Sequence, residues 1–136
     1  MRKTAFMALL ILAAGTAPGT ESRSAEQSWG EEKLARALEG RTAGEPVDCI
    51  RLRDVRSTQI YDRTAILYYM TNGRRYLNRP EGGARSLRQG DVMVTDTRSP
   101  DLCNIDVVRL YDTGMTMPTG FVNLGKFVPY EKAGEQ

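Results

Sequence analysis

The chain has 136 residues, 40% hydrophobic and 26% charged, with a formal net charge of +2 at neutral pH. These values are ordinary for a single soluble globular domain with one modest core. Histidine is absent and cysteine occurs twice, which excludes Ser–His and Cys–His nucleophilic machinery, imidazole acid–base work, imidazole metal ligands and four-cysteine metal sites.

Residues 1–25 have the layout of a secretory signal. Met1-Arg2-Lys3 is a basic start, and Ala5 to Ala14 is an apolar run of secretory length, too short to span a membrane as a mature helix. Small residues follow, and cleavage is expected between Ala17 and Ala25. Pro18 disfavours the first of these sites, and no nearby cysteine marks a lipoprotein. An uncleaved N-terminal anchor is the alternative. Cutting after Ala25 removes three basic residues and one acidic residue, leaving residues 26–136 without net charge. The sequence pI of about 8.6 therefore overstates the basicity of the remainder, and nucleic-acid binding loses its compositional support.

Ser28-Trp29-Gly30-Glu31 has the spacing of a capping box, which predicts a helix from about Trp29 to Glu39. Leu34 and Leu38, four apart, are expected to dock on a sheet, and Gly40 or Gly44 to end the helix. Gly44-Glu45-Pro46 reads as a linker. Cys49 to Val55 alternates as a strand, with Ile50 and Leu52 on one face and Arg51 and Arg53 on the other.

The stretch from Thr58 to Arg79 organises the rest. Ile60 to Thr64 suggests a reversal, with Asp62 bonding its local backbone. Asn72-Gly73, between Ile66–Met70 and Arg74–Asn78, is a strong hairpin signal. A two-residue type I′ loop would set Met70 opposite Arg75, Tyr69 opposite Tyr76 and Tyr68 opposite Leu77. Leu67, Tyr69 and Tyr76 then share one face, and Ile66, Tyr68, Met70 and Leu77 share the other. Neither face is polar throughout, so both are expected to be covered.

Pro80–Gly83 and Gln89–Asp91 read as turns, and Val92–Val94 as a short strand. Thr95 to Leu102 reads as a loop ending at Cys103, and Ile105–Tyr111 as a β-branched-rich strand. Thr113 to Gly120 is a further loop. Phe121–Leu124 and Phe127–Tyr130 are closing strands, and Glu131 to Gln136 a disordered tail. The predicted fold is α+β and mostly β. One N-terminal helix packs on a small antiparallel sheet or partly open barrel of six or seven short strands, forming one domain over residues 26–130.

If the chain is exported, two cysteines read as a disulfide between Cys49 and Cys103. The alternative is a pair of free buried thiols. No glycine-rich phosphate loop is present. The carboxylates Asp62, Asp91, Asp96, Asp101, Asp106 and Asp112 are candidates for paired acid–base chemistry, although turn and strand-flanking roles explain each of them. Cys49 to Arg109 holds 11 arginines, no lysine and seven acids. Arg74, Arg75 and Arg79 are therefore candidates for binding an anion such as a lipid headgroup or wall polymer, against a plainer reading as ion-paired strand faces. Tyr61, Tyr68, Tyr69 and Tyr76 are candidates for a sugar-stacking surface, against half-buried sheet packing.

Several pieces recur in a fixed order: Cys49-Ile50, Thr58-x-x-x-Asp62, Tyr76-Leu77-Asn78-Arg79, Leu102-Cys103-x-x-Asp106 and Leu124-Gly125-x-Phe127-x-Pro129. Over about Pro46 to Tyr130 the chain resembles a family of small exported proteobacterial proteins defined by a domain of unknown function. The resemblance implies export and a Cys49–Cys103 bond, and it supplies no catalytic residues. Members of that family often carry a further cysteine just before the Leu-Gly-x-Phe motif. Here Phe121-Val122-Asn123 stands there, so a second bridge is absent. The sequence thus predicts a periplasmic or secreted, non-catalytic binding or envelope-associated module. It implies no cofactor, no metal, no nucleic acid and no transmembrane segment in the mature chain. The partner would be an envelope protein or an anionic ligand, and a carboxylate-dependent hydrolase is the less favoured alternative.

Overall fold

The apolar run Ala65–Met70 forms a strand buried on both faces, and the rest of the chain supplies its two covers. A computed structural model describes residues 21–114 and 116–134; the greater part of the proposed export signal, residues 1–20, lies outside them. The described residues form one helix, α1 (Glu21–Ala37), and ten short strands. These are β1 (Arg41–Ala43), β2 (Cys49–Arg51), β3 (Val55–Tyr61), β4 (Ala65–Met70), β5 (Arg75–Asn78), β6 (Val92–Thr95), β7 (Asp101–Cys103), β8 (Val107–Tyr111), β9 (Pro118–Asn123) and β10 (Phe127–Lys132). The α+β, mostly β class holds.

Three antiparallel sheets result, ordered β1-β10-β5-β4-β3, β6-β8-β9 and β2-β7. Leu34 of α1 lies against Tyr61, Ala65, Leu67 and Leu77 on one face of the five-stranded sheet, with Leu38 packed beside them. On the opposite face Ile60, Ile66, Tyr68, Met70 and Phe127 meet Val108, Leu110 and Val122 of the three-stranded sheet, and Ile50 and Leu102 of the small one. Tyr68 and Phe127 meet edge to face, with ring centroids 5.6 Å apart. The molecule is therefore layered helix, sheet, sheet.

The central hairpin differs from the predicted register by one residue. Tyr69 faces Arg75, Tyr68 faces Tyr76, and Leu67 faces Leu77. Gly73 has φ 86°, while Asn72 stays out of the left-handed region, so the type I′ condition is not met. The loop instead spans three residues, with the Gly73 N–H bonding the Met70 carbonyl at 3.1 Å and the Met70 N–H bonding the Arg74 carbonyl at 2.9 Å. A left-handed glycine closing a three-residue turn gives this geometry. The shift moves Leu77 to the helix side and Tyr76 and Asn78 to the other side, because side chains alternate with period two.

Asn78 thereby enters the interior, fully buried. Its Nδ2 donates to the Gly125 carbonyl at 2.7 Å, and its Oδ1 accepts the Gly125 N–H at 3.0 Å. A Cβ on Gly125 would stand 2.3 Å from the Arg79 carbonyl oxygen, so only glycine fits this approach. The residues just after β5 also pair with the end of β9, through Glu81 N–H to Asn123 carbonyl (3.0 Å) and Asn123 N–H to Gly82 carbonyl (2.9 Å). That closes one seam between the two larger sheets. At the other seam, β3 and β6 end their sheets without a further strand among the described residues.

Other boundaries shift for identifiable reasons. α1 starts at Glu21 and runs through Ala25, and the Ser28 hydroxyl donates to the Ala25 carbonyl within the helix rather than capping it. The strand predicted over Cys49–Val55 breaks into β2 and a 3₁₀ turn at Leu52–Asp54, which leaves Leu52 exposed. β8 begins at Val107, and Ile105 sits in a turn, 85% exposed. Strand β1 lies between the predicted helix and the predicted linker, β7 overlaps the predicted 95–102 loop, β9 takes in the last three residues of the predicted 113–120 loop, and β10 continues through Lys132 into the predicted tail.

Cys49 and Cys103 face each other across β2 and β7 and are joined by a disulfide. Closing a loop over 54 positions limits the unfolded ensemble and is worth about 4 kcal/mol in a chain-entropy account. Replacing both cysteines with serine should lower unfolding stability by about that amount in urea titrations, with alkylation mass spectrometry confirming the bond in the parent protein. Asn78→Ala should cost about 2–4 kcal/mol in the same titration, since it strands two buried backbone groups of Gly125.

Candidate functional site

The three arginines singled out in the sequence do not converge on a ligand. The Arg79 guanidinium meets Glu31 of α1 in a two-pronged contact, Nη1–Oε1 at 2.6 Å and Nη2–Oε2 at 3.0 Å. Arg75 donates Nη1 to the Ala37 carbonyl at the end of α1 and lies over the Tyr69 ring at 4.8 Å. Arg74 pairs with Glu131 of β10 and donates to the Tyr76 hydroxyl at 3.3 Å. Two of the three thus fasten the helix to the sheet, and the third fastens the last strand to the hairpin.

The tyrosines separate by strand parity. Tyr61 and Tyr69 lie on the helix side, and Tyr68 and Tyr76 on the opposite side. They form no common stacking surface. Burial, the larger cause, and a hydrogen bond with Tyr69 push the Tyr61 hydroxyl well above its ordinary pKa, and burial alone does so for Tyr68.

The carboxylates are dispersed as well. Asp62 Oδ1 accepts the Gln89 N–H, and Asp106 Oδ2 accepts the Cys103 N–H at 2.7 Å. Among the described residues, no group of three His, Cys, Asp or Glu side chains is placed to hold a metal ion. No described helix is long and apolar enough to cross a membrane.

Several concavities remain among the described residues, and two of them combine apolar and charged walls. The larger, of about 620 Å³, lies at the open seam, with Thr58, Gln59 and Ile60 of β3 on one wall and Val92, Met93 and Thr95 of β6 on the other. Tyr68 and Leu102 contribute apolar surface to it. Asp91, at the start of β6, also lines it, and its Oδ2 is shielded from solvent with no hydrogen-bond partner. Such atoms are uncommon in folded interiors, and Arg75 Nε shares this condition. The smaller, of about 540 Å³, lies beyond the 87–91 loop between α1 and the β3–β4 turn, beside Trp29. Neither of these two brings two carboxylates together; a third, of about 470 Å³, is lined by Glu45 and Glu131, the latter paired with Arg74. The sequence reading missed the first two, because their walls come from segments dozens of residues apart; the one local hint was a lone tryptophan within a polar helix.

Family models, curated proteins and solved structures yield no match to this chain.

The Glu31–Arg79 contact makes a pH prediction. Hydrogen bonding from Arg79, outweighing partial burial, holds the Glu31 carboxyl below the ordinary value of 4.5. The folded chain then takes up that proton less readily than the unfolded chain. Its contribution is full above the unfolded carboxyl pKa and is lost as pH falls below it. Both side chains are about half exposed, so solvent screening limits the effect. Glu31→Gln should lower stability at neutral pH by less than about 1 kcal/mol and flatten the stability–pH curve below pH 4.5, read by urea unfolding.

Proposed function

We propose that this chain is an exported, non-catalytic binding module that takes up an extended polypeptide segment in the cleft between β3 and β6. The observation that carries the reading is the open seam itself. Two edge strands present backbone groups without a strand partner on either wall of one cavity. An inserted strand would hydrogen-bond to either wall, or to both, at the usual spacing of about 4.8 Å. Alternate side chains of the segment would meet Tyr68, Ile60 and Leu102 on the inside. The unpaired Asp91 oxygen favours a segment that carries a lysine, an arginine or a free N-terminus.

Export is supported by the basic start, apolar run and small residues of the first 25 positions, and by a disulfide that oxidising compartments favour. The absence of histidine and the scattering of the carboxylates favour binding over turnover.

Panning a displayed random heptapeptide library against the oxidised protein should enrich basic sequences with β-forming residues. Their binding should protect β3 and β6 amides from hydrogen exchange and weaken about tenfold in Asp91→Asn. Failure to enrich any sequence, or protection confined to other strands, overturns the cleft assignment. In a Gram-negative host, the mature protein should be recovered from the periplasm with its N-terminus between Pro18 and Glu26; recovery from the cytosol starting at Met1 overturns export.

A further inference from the structure

The smaller concavity is lined by Trp29 and Lys33 of α1, Asp62 and Arg63 of the β3–β4 turn, and Leu87 and Arg88 of the following loop. Three of these six residues are cationic and one is acidic. The acid is already engaged, through the backbone N–H of Gln89. Trp29 is the chain's single tryptophan, is 63% exposed and lines this hollow. An exposed indole beside a cluster of cations offers a flat apolar platform and charge-assisted donors within one small volume.

The hollow is built rather than incidental. The Arg63 N–H donates to the Leu87 carbonyl at 3.1 Å, and Asp62 holds the Gln89 N–H, so the turn and the loop are tied together. α1 presses onto that turn beside Trp29, and a Cβ on Gly30 would fall 2.1 Å from Thr64 Oγ1. Leu87 is fully buried beneath. Lys33 makes only a long, exposed contact with the Gln89 side chain, 3.4 Å, which a ligand can replace.

Arg63 adds an independent pointer. With φ 54°, it is the one non-glycine residue in the left-handed region among the described residues. That conformation is disfavoured for a long side chain, and glycine or asparagine is the usual occupant. Outliers of this kind concentrate where the side chain is used.

We infer that this hollow is a binding site for an acidic sugar, whose ring stacks on the Trp29 indole and whose carboxylate or phosphate is taken by Lys33 and Arg88. The volume, about 540 Å³, falls in the range of small-ligand sites. The site is concave and carries one exposed aromatic, which suits a discrete ring rather than insertion into a lipid surface. The polypeptide cleft uses different residues, so this assignment stands or falls separately from it.

Trp29 is its own reporter. The oxidised full chain is titrated with trigalacturonate and, separately, with glucose 6-phosphate, following indole fluorescence. Maltotriose, inorganic phosphate and phosphatidylglycerol vesicles serve as comparisons. The expected result is a saturable change with at least one acidic sugar that weakens with added salt and is absent with maltotriose and with phosphate alone. The responding probe distinguishes a carboxylate source from a phosphate source. Lys33→Ala and Arg88→Ala, both at exposed positions, should each weaken binding about tenfold. Arg98→Ala, outside the hollow, should leave binding unchanged. No response to either acidic sugar up to about 10 mM overturns the assignment. So does an equal response to maltotriose, a response to phosphate alone, or a response to vesicles only.

Discussion

The structure depends on the register of the β4–β5 hairpin. A strand buried on both faces tolerates no slip, because a shift of one residue exchanges the whole set of side chains it offers to each layer. The three-residue loop ending at Gly73 fixes that choice. It sends Leu77 toward α1, Tyr76 toward the second sheet, and Asn78 into the interior, where its amide completes the Gly125 backbone. With Asn78 in place, the turn between β9 and β10 is held beside the end of β5, and the last strand enters the sheet next to the hairpin. The closed seam follows from this, and the cleft lies at the seam that stays open.

Much of this was legible in the sequence. The helix with Leu34 and Leu38 against a sheet, the Asp62 reversal, the Asn72-Gly73 reversal, the covering of both β4 faces and the disulfide all appear where local pattern placed them. The register did not, because Asn-Gly suits both a two-residue and a three-residue loop, and only the backbone angle of Asn72 separates them. The short strands β1 and β7 carry three residues each. Such elements owe their existence to a distant partner, so no local periodicity announces them. Ile105 shows the converse case, a strand-forming residue placed in an exposed turn because the chain reverses at Asn104 after the disulfide.

The arginine excess was a true signal whose meaning the sequence left ambiguous. Arg75 and Arg79 reach α1, and Arg74 reaches β10. Planar two-pronged pairing suits arginine to fastening one layer to another, much as it suits binding a soluble anion. What separates the two uses is whether a carboxylate or carbonyl of the same chain already lies opposite, and one-dimensional information does not carry that. The cations beside Trp29 come from positions 33, 63 and 88, and only the folded arrangement gathers them.

The order β1-β10-β5-β4-β3 also bears on when the domain is able to form. Its last strand lies between its first strand and the hairpin. While the chain emerges from a ribosome or threads through a translocation pore, β5 waits with a bare flank and β1 has nothing to join until Phe127–Lys132 arrives. The central sheet is therefore completed only once Phe127–Lys132 has been made, and the docking of that strand is the step that commits the five strands to their final order.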